Sequence, residues 1–232
     1  MAFTWDEKNI KWFLDAAEYT GFYRDLAQKI IPYLEPGDAL CDVGCGLGRL
    51  AFALAPHVAS LTAIDVNEVV LDILKRDAAP LGLTNLHAGF GDAAELSGVF
   101  DVVLLCFFGE TDTPGMLKHS RRSLIRVVNA DNRTNLYPEQ YRSRVKETVA
   151  GVRKELASLN LEYRLDEYAI EFGQPLRDME DAKKYVLQNA PDASDAEVSG
   201  FLDERLQQTG RDDYPLYLPN KKELGVFIID KQ

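Results

Sequence analysis

The sequence predicts an α/β fold, a doubly wound and mostly parallel sheet with helices on both faces. Three observations predict it. A short apolar run, Ala39-Leu40-Cys41-Asp42-Val43, enters a glycine-rich turn, Gly44-Cys45-Gly46-Leu47-Gly48, and a helical pattern follows. A second apolar run over 60–64 ends at Asp65 and is again followed by a helical pattern. Strand and helix patterns then keep alternating to about residue 130, as parallel strands joined by crossover helices require.

The elements follow in order. Residues 1–38 read as helical and carry Trp5, Trp12, Phe13, Tyr19, Phe22 and Tyr23. Tyr23, Leu26, Ile30, Ile31 and Leu34 recur at helical spacing until Pro36-Gly37 stops the run. The first strand covers 39–43 and its helix runs from Arg49 to about Pro56. The second strand covers 60–64, and a helix from about Glu68 to Ala79 follows. Asn85 to Ala88 make a weaker third strand, Phe100 to Phe107 a strong fourth, and Ser123 to Asn129 a fifth. Beyond residue 130 the chain becomes more polar. A long polar helix is expected over 138–158, a strand over Leu161 to Phe172, helices over 178–189 and 194–208, and a last strand from Gly225 to Asp230. Lys118, His119, Arg121 and Arg122 form a small basic cluster, best read as a solvated helix or turn.

Composition narrows the function. The chain has 232 residues, 46% of them hydrophobic and 27% charged, enough to bury a core without staples. Its net charge is 26 − 37 = −11, which repels a phosphate backbone. Nucleic acid and an anionic membrane are therefore poor partners. No apolar run approaches the roughly 18–20 residues of a membrane span, and the first residues lack the pattern of a secretory signal. Cys41, Cys45 and Cys106 have neither a disulfide framework nor zinc spacing, so no metal is expected and a reduced cytoplasm is the simplest compartment.

The chemistry lies in the stretch from Asp42 to Gly48. A strand, a glycine turn and a helix let backbone approach a ligand closely and present free N–H groups. Asp65, 19 residues beyond Gly46, ends the next strand, where a carboxylate can accept from both hydroxyls of a ribose. The dinucleotide pattern G-x-G-x-x-G/A needs a small residue at position 49, where Arg49 stands, and no Walker lysine follows. Both facts disfavour NAD and P-loop ATP binding.

These residues, together with Gly91-Asp92-Ala93-Ala94-Glu95-Leu96 and Phe100-Asp101-Val102-Val103-Leu104-Leu105, resemble the class I S-adenosylmethionine-dependent methyltransferases. The resemblance covers roughly residues 20–130. It implies a Rossmann-like, seven-stranded sheet and S-adenosylmethionine as cofactor. It places Gly44, Cys45, Gly46 and Gly48 under the methionine part and Asp42 near the cofactor's amino group. It puts Asp65 on the ribose, with Val66 and Asn67 beside the adenosine, and Asp92 and Ala93 on the adenine. Cys106 and Phe107 then stand where cofactor meets substrate. Asp92 can also cap a helix beginning at Ala93, and the two roles can coexist.

On this reading 1–232 is one methyltransferase domain: a helical lid or substrate segment at 1–38, a cofactor-binding half at 39–130, and a substrate-side half at 131–232. A helical insertion is expected at about 174–219. Whether it is a lid or a dimerisation element is open, so a homodimer is one expected assembly. The N-terminal aromatics either form a lid over the sulfonium or pack a helix on the core, and Tyr23 is the ring best placed to face the cofactor. Glu110, Asp112 and His119, after the fourth strand, are candidate bases or substrate contacts, each weighed against a solvated loop. No catalytic residue is assigned, because displacement from a sulfonium needs a base only for an acceptor that must lose a proton.

Several subclasses are disfavoured. Cys106-Phe107-Phe108-Gly109 replaces the Asn/Asp-Pro-Pro-Tyr/Phe segment of enzymes that methylate amino groups of DNA bases. No Pro-Cys pair for cytosine C5 methylation occurs. The family's frequent Pro-Gly-Gly turn before the fifth strand is also absent. A small-molecule methyl acceptor is the expected substrate. The alternatives are a non-catalytic protein that binds the cofactor, or a nicotinamide-dependent oxidoreductase.

Overall fold

The structure is a computed structural model, and it describes residues 5–109, 112–131, 133–142 and 147–231. In chain order the helices are α1 (Glu7–Thr20), α2 (Phe22–Ile30), α3 (Arg49–Leu54), α4 (Glu68–Ala78), α5 (Thr113–Lys118), α6 (Val149–Ser158), α7 (Met179–Asn189) and α8 (Asp195–Arg205). The strands are β1 (Ala39–Val43), β2 (Ser60–Asp65), β3 (Leu86–Phe90), β4 (Phe100–Cys106), β5 (Ser120–Asn129), β6 (Arg164–Glu171), β7 (Gln174–Leu176), β8 (Gln207–Gln208), β9 (Leu216–Leu218) and β10 (Lys221–Asp230).

Seven strands form a Rossmann-like sheet in the order β3-β2-β1-β4-β5-β10-β6. β3, β2, β1, β4 and β5 pair in parallel, while β10 runs antiparallel to β5. From β1 the chain steps outward to β2 and β3, then returns to β4 on the other side. Open α/β sheets bind ligands at such a reversal, outside the carboxyl ends of the strands.

By contacts the chain divides into two compact units. The larger holds Tyr23–Asp131, Glu147–Tyr168 and Glu223–Gln232. One face of its sheet buries Cys41, Val43, Val103, Leu105, Leu124, Phe227 and Ile229 together with Met116, Val152 and Leu156. The alternate residues Leu40, Leu104, Ile125 and Ile228 are buried as well. Both faces are covered, which is why the strands read as continuous apolar runs.

The smaller unit holds Met1–Phe22, Asn132–Lys146 and Ala169–Lys222. Its core gathers Trp12, Leu176, Tyr185, Val186, Val198, Leu202 and Leu218. Trp12 meets Tyr185 edge to face at 5.3 Å, and its indole N–H donates to Asp181 at 3.0 Å. Tyr19 stacks on Tyr217 at 5.0 Å, while Phe13 and Phe22 both pack on Phe172. Trp12, Tyr19 and Phe22 each pack against another ring of the smaller unit.

Several expectations change. Residues 174–219 hold, besides α7 and α8, the small antiparallel sheet β7-β9-β8, whose strands are too short to signal themselves by alternation. Of the helix expected over 138–158, the described residues form α6. A short 3-10 turn, Glu139–Tyr141, precedes it, and Thr148 starts α6 by accepting from the Gly151 N–H at 3.3 Å. α8 ends at Arg205, short of the expected 208, because the chain turns into β8. β5 begins three residues earlier than expected, so Arg121 and Arg122 lie on a strand, not on a solvated turn. Each finds a carboxylate there, Asp101 and Asp38 respectively.

Candidate functional site

The larger unit builds its site at the carboxyl ends of β1, β2 and β4. Val43 is the last residue of β1, and the backbone N–H groups of Gly44 and Cys45 both donate to the Ile64 carbonyl, at 2.8 and 3.0 Å. The turn is thus held against the end of β2. Gly44 and Gly48 have φ of +73° and +72°, left-handed values that cost residues with a Cβ about 1–2 kcal/mol. Space makes the same demand. A Cβ on Gly48 would lie 2.5 Å from Leu74 Cγ, so glycine is what lets α4 pack on the start of α3.

Asp65 ties the turn together. Its Oδ2 accepts from the Gly46 N–H and its Oδ1 from the Asn67 N–H, both at 2.9 Å. Asn67 then caps α4, accepting from the N–H groups of Val69 and Val70. Val66, between them, is 58% exposed. Carboxylate oxygens keep further acceptor sites after one bond each, so Asp65 can still receive ligand hydroxyls.

Asp42 is only 2% exposed. Burial, reinforced by the Asp65 carboxylate, pushes its carboxyl up to about 7. The Tyr23 phenol is raised well above its ordinary range, first by burial, then by the charges of Cys106 and Asp42. Tyr23 and Cys106, both half-buried, thus lie near the buried Asp42. Burial likewise raises the Cys45 thiol, and Asp42 adds to it. The Cys45 thiol is therefore not poised as a nucleophile.

Asp92 is exposed and starts the 3-10 turn Ala93–Glu95 by accepting from the Ala94 N–H at 2.9 Å. The capping role is present, on a short turn where a helix was expected. Phe107 follows β4 with φ of +53° and donates its N–H to the Val127 carbonyl. Asp112 is exposed before α5. Glu110 lies outside the described residues. His119 must be corrected: α5 carries the chain back to the opposite edge of the sheet. There His119 meets the Gly98 carbonyl at 2.9 Å, and its own carbonyl accepts from Phe100 at the start of β4. It cannot serve a site at the carboxyl edge.

Two features escape sequence reasoning. The Phe108 ring lies on Gly44, and nothing in the local pattern announces it. Arg126, 1% exposed on β5, pairs with Glu147 and Glu155 and also contacts Thr113 at the start of α5. A lone arginine inside Leu124-Ile125-Arg126-Val127-Val128 was the available signal, because a buried guanidinium needs carboxylates. Among the described residues no cluster of His, Cys, Asp and Glu could hold a metal ion. No helix among them is long and apolar enough to cross a membrane.

Known proteins align with this same region. A family described as "Methyltransferase domain" matches residues 40–126. Nocamycin O-methyltransferase of Saccharothrix syringae is 33% identical over 90 residues, covering 35% of this chain and 32% of that protein. Ribosomal protein L11 methyltransferase of Thermotoga neapolitana is 29% identical over 114 residues, covering 47% of this chain and 43% of its own. The alignments thus span from just under a third to under half of these curated relatives. Magnesium protoporphyrin IX methyltransferase of Synechocystis PCC 6803, solved with bound SAM, superposes with a TM-score of 0.54 at 14% identity, covering 100% of both chains. At that identity the likeness is one of fold. The glycine turn and the acidic ends of β1 and β2 all fall within residues 40–126, so this region of the chain is similar to a methyltransferase domain.

Proposed function

We propose that the chain binds S-adenosylmethionine at the Asp42–Asp65 turn and transfers its methyl group to a small-molecule acceptor. One observation carries the cofactor assignment. A buried carboxylate, Asp42, stands beside a second, Asp65, with burial and mutual repulsion both opposing its charge. A cationic ligand group relieves that opposition, and an anionic one worsens it. S-adenosylmethionine brings an ammonium and a sulfonium, whereas a dinucleotide brings a pyrophosphate. The donor set therefore favours the former over a dinucleotide.

The chain's own residues then have distinct tasks. Asp42 holds the ammonium. Asp65 receives the ribose hydroxyls while it fixes Gly46, and Val66 and Asn67 flank the adenosine. Asp92 and Ala93 meet the adenine, with Asp92 keeping its cap. Gly44, Cys45, Gly46 and Gly48 keep side chains away from the methionine part. Tyr23, Cys106 and Phe107 close the desolvated end where the methyl group meets its acceptor, and exclusion of water there favours in-line transfer. When bound, the cofactor supplies a methyl group already activated by positive sulfur. The acid balance of the chain and the absence of base-methylation motifs favour a small molecule over nucleic acid. The relatives' names cover both a small-molecule and a protein acceptor.

Calorimetry with S-adenosylhomocysteine and, in parallel, NAD tests the cofactor. Micromolar S-adenosylhomocysteine binding without NAD binding supports it, and the reverse returns the chain to the oxidoreductases. Incubation with methyl-labelled cofactor and a cell extract tests the acceptor. Label in the low-molecular-weight filtrate supports a small molecule, label on retained protein refutes it, and binding without any transfer favours the non-catalytic reading.

A further inference from the structure

We infer that Phe108 is a plug on the cofactor site, whose ring must leave the face of Gly44 before the methionine part of the cofactor can occupy it. The inference rests on the proposed function and adds a control on that same site. A Cβ built on Gly44 would overlap Phe108 Cδ2 and lie 2.6 Å from Cε2. The ring therefore lies in van der Waals contact with the Gly44 α-carbon. The first glycine of the turn is the place where backbone must be bare for a ligand, and here an aromatic side chain covers it.

The backbone around Phe108 aims the ring there. Phe107 holds φ of +53°, a left-handed value rare for an aromatic residue, and Gly109 holds +107°. The Phe107 N–H is anchored on the Val127 carbonyl at 2.8 Å, so the turn is fixed to β5 on one side. Strained backbone of this kind gathers at ligand clamps and switch regions. Phe108 itself is 37% exposed, so its ring can rotate toward solvent without opening the core.

Two groups cannot share the volume above Gly44. Each binding event must therefore displace the ring and lose its contact with the turn, and the observed affinity is lowered accordingly. Rotamer changes of exposed side chains take picoseconds to nanoseconds. The plug is therefore read in the dissociation constant and produces no slow binding phase.

The test is calorimetric titration of S-adenosylhomocysteine into wild type, Phe108→Ala and Phe108→Leu, with thermal melts of all three. Removing the ring should tighten binding about 3–10-fold in Phe108→Ala, with Phe108→Leu between it and wild type. Unchanged affinity in both variants overturns the plug. Weaker binding in folded Phe108→Ala also overturns it and makes the ring a wall of the site. Should Phe108→Ala not fold, the more conservative Phe108→Leu decides by the same sign. Failure of wild type to bind S-adenosylhomocysteine defeats the cofactor reading itself, an outcome distinct from binding that ignores residue 108.

Discussion

Asp65 and Gly46, one at the end of β2 and the other in the turn after β1, are joined by a 2.9 Å hydrogen bond from the glycine N–H to the carboxylate. The other oxygen of the same carboxylate accepts from Asn67 at 2.9 Å. One side chain thus fixes the glycine turn and the approach to α4. Any ligand that bonds Asp65 meets a group whose direction is already set, so little ordering is left for binding to supply. Replacing Asp65 by Ala should lower stability by about 1–3 kcal/mol, since two N–H groups lose their acceptor. It should also abolish measurable S-adenosylhomocysteine binding. Denaturant unfolding and calorimetry on the same preparation check both; a variant that keeps wild-type affinity removes Asp65 from the site.

Asp42 predicts a pH dependence of opposite sign for stability and for binding. Its carboxyl is raised from 3.8 to about 7 by burial and Asp65. Folding therefore takes up a proton between these values. The cost of the buried charge is absent below about pH 4, grows through the window to 7, and is complete above it. Asp42→Asn should raise the melting temperature at pH 8 and leave it nearly unchanged at pH 4.

Ligand binding should show the reverse. A cationic amino group prefers the ionised carboxylate. Affinity of wild type for S-adenosylhomocysteine should fall below pH 7, by at most about tenfold per unit. Asp42→Asn should bind weakly at all pH values and flatten the profile. Titrations at pH 5.5, 7 and 8.5 read both effects; a flat wild-type profile excludes Asp42 as the ammonium's partner.

Gly48→Ala should destabilise through the backbone and the packing at once. The positive φ costs about 1–2 kcal/mol, and the new Cβ meets Leu74 at 2.5 Å. For a chain of this size each kcal/mol is worth about 2–4 °C. The melting temperature should therefore drop by several degrees, and Leu74→Ala in the same background should relieve only the steric part. A Gly48→Ala melt equal to wild type contradicts the close approach of α4.

Arg126→Met should cost about 3 kcal/mol, at the low end for breaking a buried ion pair. Glu147 and Glu155 would remain with side chains only 14% and 28% exposed. Adding Glu155→Gln should recover part of that loss, because the uncompensated charge is what hurts. Chemical denaturation of the single and double variants reads the recovery, and additive losses would show that the guanidinium acts by packing alone.

Much of the larger unit was legible in the sequence because its signals are local. Apolar runs of strand length, a glycine triplet at a strand end and an aspartate after the next strand each report on their own few residues. Strand β2, helix α4 and strand β4 follow the sequence pattern to within a residue or so. Local pattern also misled where flanking chain decided the outcome. Residues 138–158 carry helical composition, yet the helix begins only where Thr148 caps it. His119 follows β4 in sequence, but α5 delivers it to the far edge of the sheet.

By itself the sequence determined the sheet's parallel core, the bare glycine turn and the two acidic strand ends, since periodicity and turn chemistry are written in consecutive residues. Only the tertiary structure decided which groups share an environment. It buried Asp42 beside Asp65 and so raised its carboxyl, laid the Phe108 ring on Gly44 across a gap of 64 residues, and closed Arg126 on Glu147 and Glu155. Burial, charge coupling and steric exclusion depend on distances through space, and the order of residues along the chain does not encode those distances locally.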